Sequence, residues 1–123
     1  MALKQYQELI AWQKAIEYAE AVYRLTRKFP RDEVFGLTIQ LRRSAVSIAS
    51  NIAEGQGRGS AKEFIQFLNI AHGSLQESET QMILAHRFGY ITEKELDDIL
   101  ALSNELGRIN NGLIRAMARR QRS

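Results

Sequence analysis

A chain of 123 residues with one proline has room for a single domain, and folding a chain of this size buries roughly two thirds of its unfolded surface. Its hydrophobic share of 45% and charged share of 25% exclude a disordered chain, and the lack of any cysteine excludes disulfides, thiolate nucleophiles and Cys-ligated zinc. The net charge of +3 is unevenly spread: residues 1–105 hold 12 Lys and Arg against 14 Asp and Glu, whereas residues 106–123 hold five arginines and no acid.

The first residues, Met1-Ala2-Leu3-Lys4-Gln5, lead into polar sequence rather than the apolar core of a signal peptide. No apolar stretch approaches the roughly 20 residues of a membrane span. The expectation is a soluble protein of the cytoplasm.

Leu9, Trp12, Ile16, Ala19, Tyr23 and Thr26 recur at spacings of three and four, with a second line through Ala15, Tyr18, Val22, Leu25 and Phe29. They predict a first helix over roughly residues 8–29. Pro30 cannot continue it, and Asp32 can accept from the free amides that open the next helix.

The second helix, over roughly residues 33–56, carries Val34, Leu37, Leu41, Ala45, Ile48 and Ile52 on one line and Phe35, Ile39, Val46, Ala49 and Ala53 on another. That apolar surface is wider than three companion helices need, so a sister copy is expected to cover the excess. Gly55-Gln56-Gly57-Arg58-Gly59 reads as its end.

Ser60-Ala61-Lys62-Glu63 has the order of a capping box and opens a third helix over roughly residues 60–88. Phe64, Leu68, Ala71, Leu75, Ser78, Met82 and Ala85 keep a 4-3 alternation along it, the seam of helices packed at shallow angles, with Ser78 as the polar interruption. Gly89 supplies a stop, and Thr92-Glu93-Lys94-Glu95 is a second capping box. It opens a fourth helix over roughly residues 93–120, with Ile99, Leu102, Leu106, Ile109, Leu113 and Ala116 as its seam. Four long helices with short connections make an all-α, antiparallel up-down four-helix bundle spanning residues 1–123 as one domain.

Few residues offer chemistry. The loop from Gly55 to Ser60 precedes a helix, yet it lacks the preceding strand and the Gly-Lys-Ser/Thr ending of a phosphate-cradling loop, so it reads as helix punctuation. His72 and His86 lack the i,i+4 partner that places metal ligands on one helix face, and no metal or other cofactor is expected. Ser44, Ser47, Ser50 and Ser74 have no histidine or carboxylate arranged to activate them, which leaves them a helix-packing role. With no nucleophile, base and oxyanion donors to assemble, the expectation is a protein that is not an enzyme.

Arg42, Arg43, Asn51 and Glu54 lie in the otherwise apolar second helix, opposite Glu77 and Glu79 of the third. Burying an unpaired charge costs several kcal/mol, so these six are candidates for a polar network within or between subunits, against the alternative of two solvated faces. Arg108, Arg115, Arg119, Arg120 and Arg122 are the candidate nucleic-acid-binding residues, because guanidinium groups fork onto phosphate oxygens and gain from counterion release. Without interleaved aromatics they form an electrostatic footprint rather than a sequence reader.

The run Gln40-Leu41-Arg42-Arg43-Ser44-Ala45-Val46-Ser47-Ile48-Ala49-Ser50-Asn51-Ile52-Ala53-Glu54-Gly55 resembles the signature of the bacterial four-helix-bundle proteins encoded in 23S rRNA intervening sequences. The resemblance extends to Trp12-Gln13-Lys14-Ala15, Phe29-Pro30, Phe35-Gly36-Leu37, Glu63-Phe64, Phe67-Leu68, Gly73-Ser74-Leu75 with Glu77 and Glu79, and Gly89-Tyr90. It implies a homopentameric four-helix bundle of poorly defined function. Through the related accessory variability protein of diversity-generating retroelements, it also implies nucleic acid and a reverse transcriptase as candidate partners. Two positions depart from the pattern: Ala49 stands where the family usually has proline, and Ser78 where leucine is common. A bend in the second helix and one core contact are therefore not carried over.

The sequence thus leads to a non-enzymatic homo-oligomer, pentameric by resemblance, that contacts RNA or DNA through basic surfaces without sequence specificity. The alternative is a protein-protein adaptor or scaffold whose charge only steers encounter.

Overall fold

The periodic segments become four long helices in the computed structural model, which describes residues 5–122 apart from the side chain of Arg122. A single turn, α1 (Gln5–Glu8), precedes α2 (Ile10–Thr26); a 3-10 turn at Arg31–Glu33 leads into α3 (Leu37–Gly57), followed by α4 (Ala61–Arg87) and α5 (Glu93–Arg122). The described residues contain no strand. Each long helix packs against the two beside it, α2 on α3, α3 on α4, α4 on α5 and α5 back on α2. The four therefore close a ring around one core.

Of the two apolar lines in α2, the second faces that core. Ala15, Tyr18 and Val22 are buried together with Ala11, whereas Leu9, Trp12, Ile16 and Ala19 are only partly covered. In α3 the line Leu37, Leu41, Ala45, Ile48 and Ile52 is buried. Every member of the α4 seam from Phe64 to Ala85 is buried, Ser78 included. In α5 the deepest line is Ile99, Ser103, Leu106 and Asn110, so that Leu102 and Ile109 flank the seam instead of forming it.

Several helix ends differ from the sequence expectation. The first helix does not start at residue 8, because Leu9 is extended (φ −70°, ψ 127°) and lets α1 fold back, setting Tyr6 edge-on against Trp12 at 5.4 Å between ring centroids. It stops at Thr26, whose hydroxyl donates to the Val22 carbonyl at 2.8 Å. The second helix starts at Leu37 rather than near residue 33. The 3-10 turn intervenes, and Glu33, not Asp32, accepts from the Leu37 amide at 3.1 Å.

Helix α3 then runs unbroken through Ala49 to Gly57, ending inside the glycine-rich run expected to close it. Gly55 serves packing instead: a Cβ there would stand 2.6 Å from Cβ of Phe67 and 3.0 Å from Phe64. The reversal falls to Gly59, at φ +82°, a conformation open to glycine at little steric cost.

Both capping boxes are present in differing forms. At α5, the Glu95 amide donates to Thr92 Oγ1 at 3.1 Å and the Thr92 amide donates to Glu95 Oε1 at 2.9 Å, the full reciprocal arrangement. At α4, Ser60 Oγ accepts from the Glu63 amide at 3.2 Å, but the Glu63 carboxylate meets the Ser60 hydroxyl rather than its backbone.

Candidate nucleic-acid interface

Spacings of seven and four along an α-helix return side chains to one face, and Arg108, Arg115 and Arg119 obey them on the exposed side of α5. By helical rise the three span roughly 16 Å of the helix axis. Arg108 and Arg115 hold no ion-pair partner among the described residues. The Arg115 guanidinium leans back over Gly112, where a Cβ would come within 3.9 Å of its Nη2. No acidic residue follows Glu105, so the final turns carry a net positive charge at the helix C-terminus, where the peptide dipole favours it.

Arg120 is not part of this line. Arg120 borders a separate crevice of about 270 Å³ at the α3–α4 turn, with Gln5, Gln56, Ser60 and Phe64 among its walls. The side chain of Arg122 lies outside the described residues.

The six residues taken as a candidate polar network are not brought together within the protomer. Arg42 turns toward α2, donating from Nε to Thr26 Oγ1 at 2.9 Å with its guanidinium 4.5 Å from the Tyr23 ring centroid. Asn51 donates to the Ser47 carbonyl at 2.8 Å. Glu54 pairs with Arg58 at 2.9 Å, Glu77 accepts from Gln81 at 3.3 Å, and Glu79 accepts from the Ser103 hydroxyl. Arg43 is exposed with no partner among the described residues.

What stitches α3 to α4 is a set of smaller side chains. Ser44 donates to Gln81 Oε1 at 2.9 Å, and Ser47 and Ser74 share a hydrogen bond at 3.0 Å. Of Ser44, Ser47, Ser50 and Ser74, three thus mediate packing, and Ser50 lines an apolar groove. Among the described residues no three His, Asp or Glu side chains gather as metal ligands would.

Two grooves escaped sequence reasoning. Between α2 and α3, Trp12, Ile16, Ala19, Val46, Ala49 and Ala53 form an apolar trough of about 310 Å³, with Val46 44% exposed. It joins the uncovered α2 line to the second α3 line, both of which periodicity had marked. Between α4 and α5 lies a polar groove of about 260 Å³ bordered by His72, Gln76, Glu79, Ser103, Asn104 and Arg108. Its signal was the repeat Ile99, Ser103, Leu106, Asn110, which has seam spacing but alternates apolar with polar residues.

A ring of four antiparallel helices with a basic line on the outer face of the last is a four-helix bundle. The chain belongs to the 23S rRNA-intervening sequence protein family, whose model matches residues 7–112. Arg108 falls inside the matched region, and Arg115, Arg119, Arg120 and Arg122 lie beyond it. A crystal structure of a protein with unknown function from the S23 ribosomal protein family of Bacteroides thetaiotaomicron VPI-5482 is similar, at 29% identity and a TM-score of 0.79, covering 85% of this chain and 98% of that one. No curated protein matches this chain. No helix among the described residues is long and apolar enough to cross a membrane.

Proposed function

We propose that this chain is a non-enzymatic homo-oligomeric bundle that holds RNA or DNA by phosphate contacts. The observation that carries the reading is the exposed line of Arg108, Arg115 and Arg119, in a stretch of helix free of acidic residues. Such contacts release counterions and are indifferent to sequence. The oligomer rests on the apolar trough between α2 and α3, where Val46 is 44% exposed beside Trp12 and Ile16. Sister copies would cover it, and five is the count that the family resemblance implies. A closed assembly repeats the arginine line once per protomer, which multiplies weak phosphate contacts.

The test is a binding titration against RNA, duplex DNA and single-stranded DNA at several salt concentrations. Affinity is expected to fall steeply with salt, and replacing Arg108, Arg115 and Arg119 by alanine should weaken all three ligands alike and flatten the log–log salt slope by about 2 to 3. Salt-insensitive binding, or none at low ionic strength, refutes the proposal.

One observation favours a second reading, a protein-protein adaptor. Phe35 is 94% exposed and Phe88 55% exposed, apolar surface beyond what an isolated bundle needs. Capture of a defined protein, a reverse transcriptase among the candidates, that survives nuclease treatment would support that reading.

A further inference from the structure

The polar groove between α4 and α5 holds hydrogen-bonding capacity that the fold does not use. Gln76, Asn104 and Asn111 border it with no side-chain partner among the described residues. His72 also lines it, and its Nδ1 is buried without a partner. Leaving that His72 atom unmatched is costly. The groove is open because Gly107 lies on its floor, and packing does not demand that glycine. A Cβ there would meet only Leu75 Cδ2 at 3.6 Å, an ordinary contact, while a helix-interior glycine costs about 1 kcal/mol relative to alanine.

We infer that this groove receives one unstacked base of a single-stranded nucleic acid whose backbone runs along the arginine line. The inference presupposes phosphate binding by those arginines and adds a base contact to it. Arg108 belongs to both features: it stands at the groove's edge and begins the exposed line on α5.

The interior chemistry decides which part of the strand enters. Glu79, held by the Ser103 hydroxyl, places a carboxylate in the wall, and a carboxylate repels phosphate. The sugar-phosphate chain therefore stays on the arginine side while the base turns inward. The exposed amides of Gln76 and Asn104 offer donors and acceptors to the edge of the base. A duplex keeps its base edges paired, whereas a single strand can splay one out. Carboxylate and amide side chains match bases carrying an exocyclic amino group, as Glu accepts from cytosine and Asn or Gln pairs with adenine. Adenine and cytosine are accordingly favoured over uracil and thymine.

The experiment measures fluorescence anisotropy of the full chain with equal-length oligo-A, oligo-C and oligo-U RNA, the corresponding DNA strands, and an abasic strand that keeps only the sugar-phosphate chain. Oligo-A and oligo-C should bind about tenfold more tightly than the abasic strand, with oligo-U and oligo-T in between. The RNA and DNA arms assign the sugar. Gly107→Leu fills the groove, and the combined Gln76→Ala, Asn104→Ala and Asn111→Ala variant strips its amides without touching a buried residue. Both should bring every strand to the abasic affinity while the salt slope stays unchanged. Equal binding of abasic and base-bearing strands by the native protein overturns the inference but leaves phosphate binding intact. So does a preference that survives both variants. If no strand binds at low salt, phosphate binding and the base site fall together.

Discussion

The Tyr18 hydroxyl lies 2.7 Å from the Ser78 hydroxyl, both side chains buried, and the pair links α2 to α4 across the diagonal of the bundle. Ser78 also donates to the Leu75 carbonyl at 2.9 Å, so the two hydroxyls are satisfied without water. The small Ser78 side chain leaves room for the tyrosine hydroxyl, whose polar end is matched there. Burial pushes the Tyr18 phenol up to about 12.

Removing one partner of this pair should cost more than removing both. Ser78→Ala strands the Tyr18 hydroxyl and should lower stability by about 1–3 kcal/mol, whereas adding Tyr18→Phe should recover part of that loss. Urea denaturation of the four members of the cycle measures the coupling. A phenol raised in the fold contributes stability below the unfolded tyrosine pKa and loses it as pH climbs through about 12, so Tyr18 should ionise only with alkaline unfolding.

Glycines on neighbouring helices should respond oppositely to the same substitution. Gly55→Ala drives a Cβ to 2.6 Å from Cβ of Phe67, and two helices must separate, for an expected loss of about 1–3 kcal/mol. Gly73→Ala meets nothing within 4 Å on the exposed side of α4, and should raise stability by about 0.5–1 kcal/mol through helix propensity. Thermal denaturation of the two variants checks both signs.

The end where the α2–α3 and α4–α5 connections meet should loosen in acid. The Tyr90 hydroxyl donating to Glu33, together with the Leu37 amide, holds the Glu33 carboxyl below the usual range. Lys28, with the Thr92 amide, does the same for Glu95. A depressed carboxyl contributes fully above its unfolded pKa and loses that contribution as pH falls through the folded value. Amide exchange at Leu37 and Thr92 should therefore accelerate below the ordinary glutamate range, and Glu33→Gln should remove the pH dependence at Leu37.

Assembly through the α2–α3 trough predicts that Val46→Arg splits the oligomer while sparing the protomer. At 44% exposure the residue contributes little to the core, so the folded monomer should change by less than about 1 kcal/mol. Native mass spectrometry should register the loss of higher species, and an unchanged mass would place the contact elsewhere.

Helix number, order and approximate ends were legible in the chain because their causes are local: three-four spacing, capping boxes, Pro30 and the stops at Gly59 and Gly89 act within one or two turns. The arginine line on α5 was legible for the same reason, since spacing alone puts Arg108, Arg115 and Arg119 on one face. Which of two equally periodic lines becomes core is a different kind of question, answered by neighbours distant in sequence. Trp12 and Ala15 have similar local credentials, yet only Ala15 is fully enclosed, because α3 leaves the Trp12 line half open. Polar partners are non-local too. Tyr18 with Ser78, Ser44 with Gln81 and Glu79 with Ser103 meet only once the ring of helices closes, and the α4–α5 groove exists because that closure sets a glycine floor beneath amides with nothing in the fold to bind.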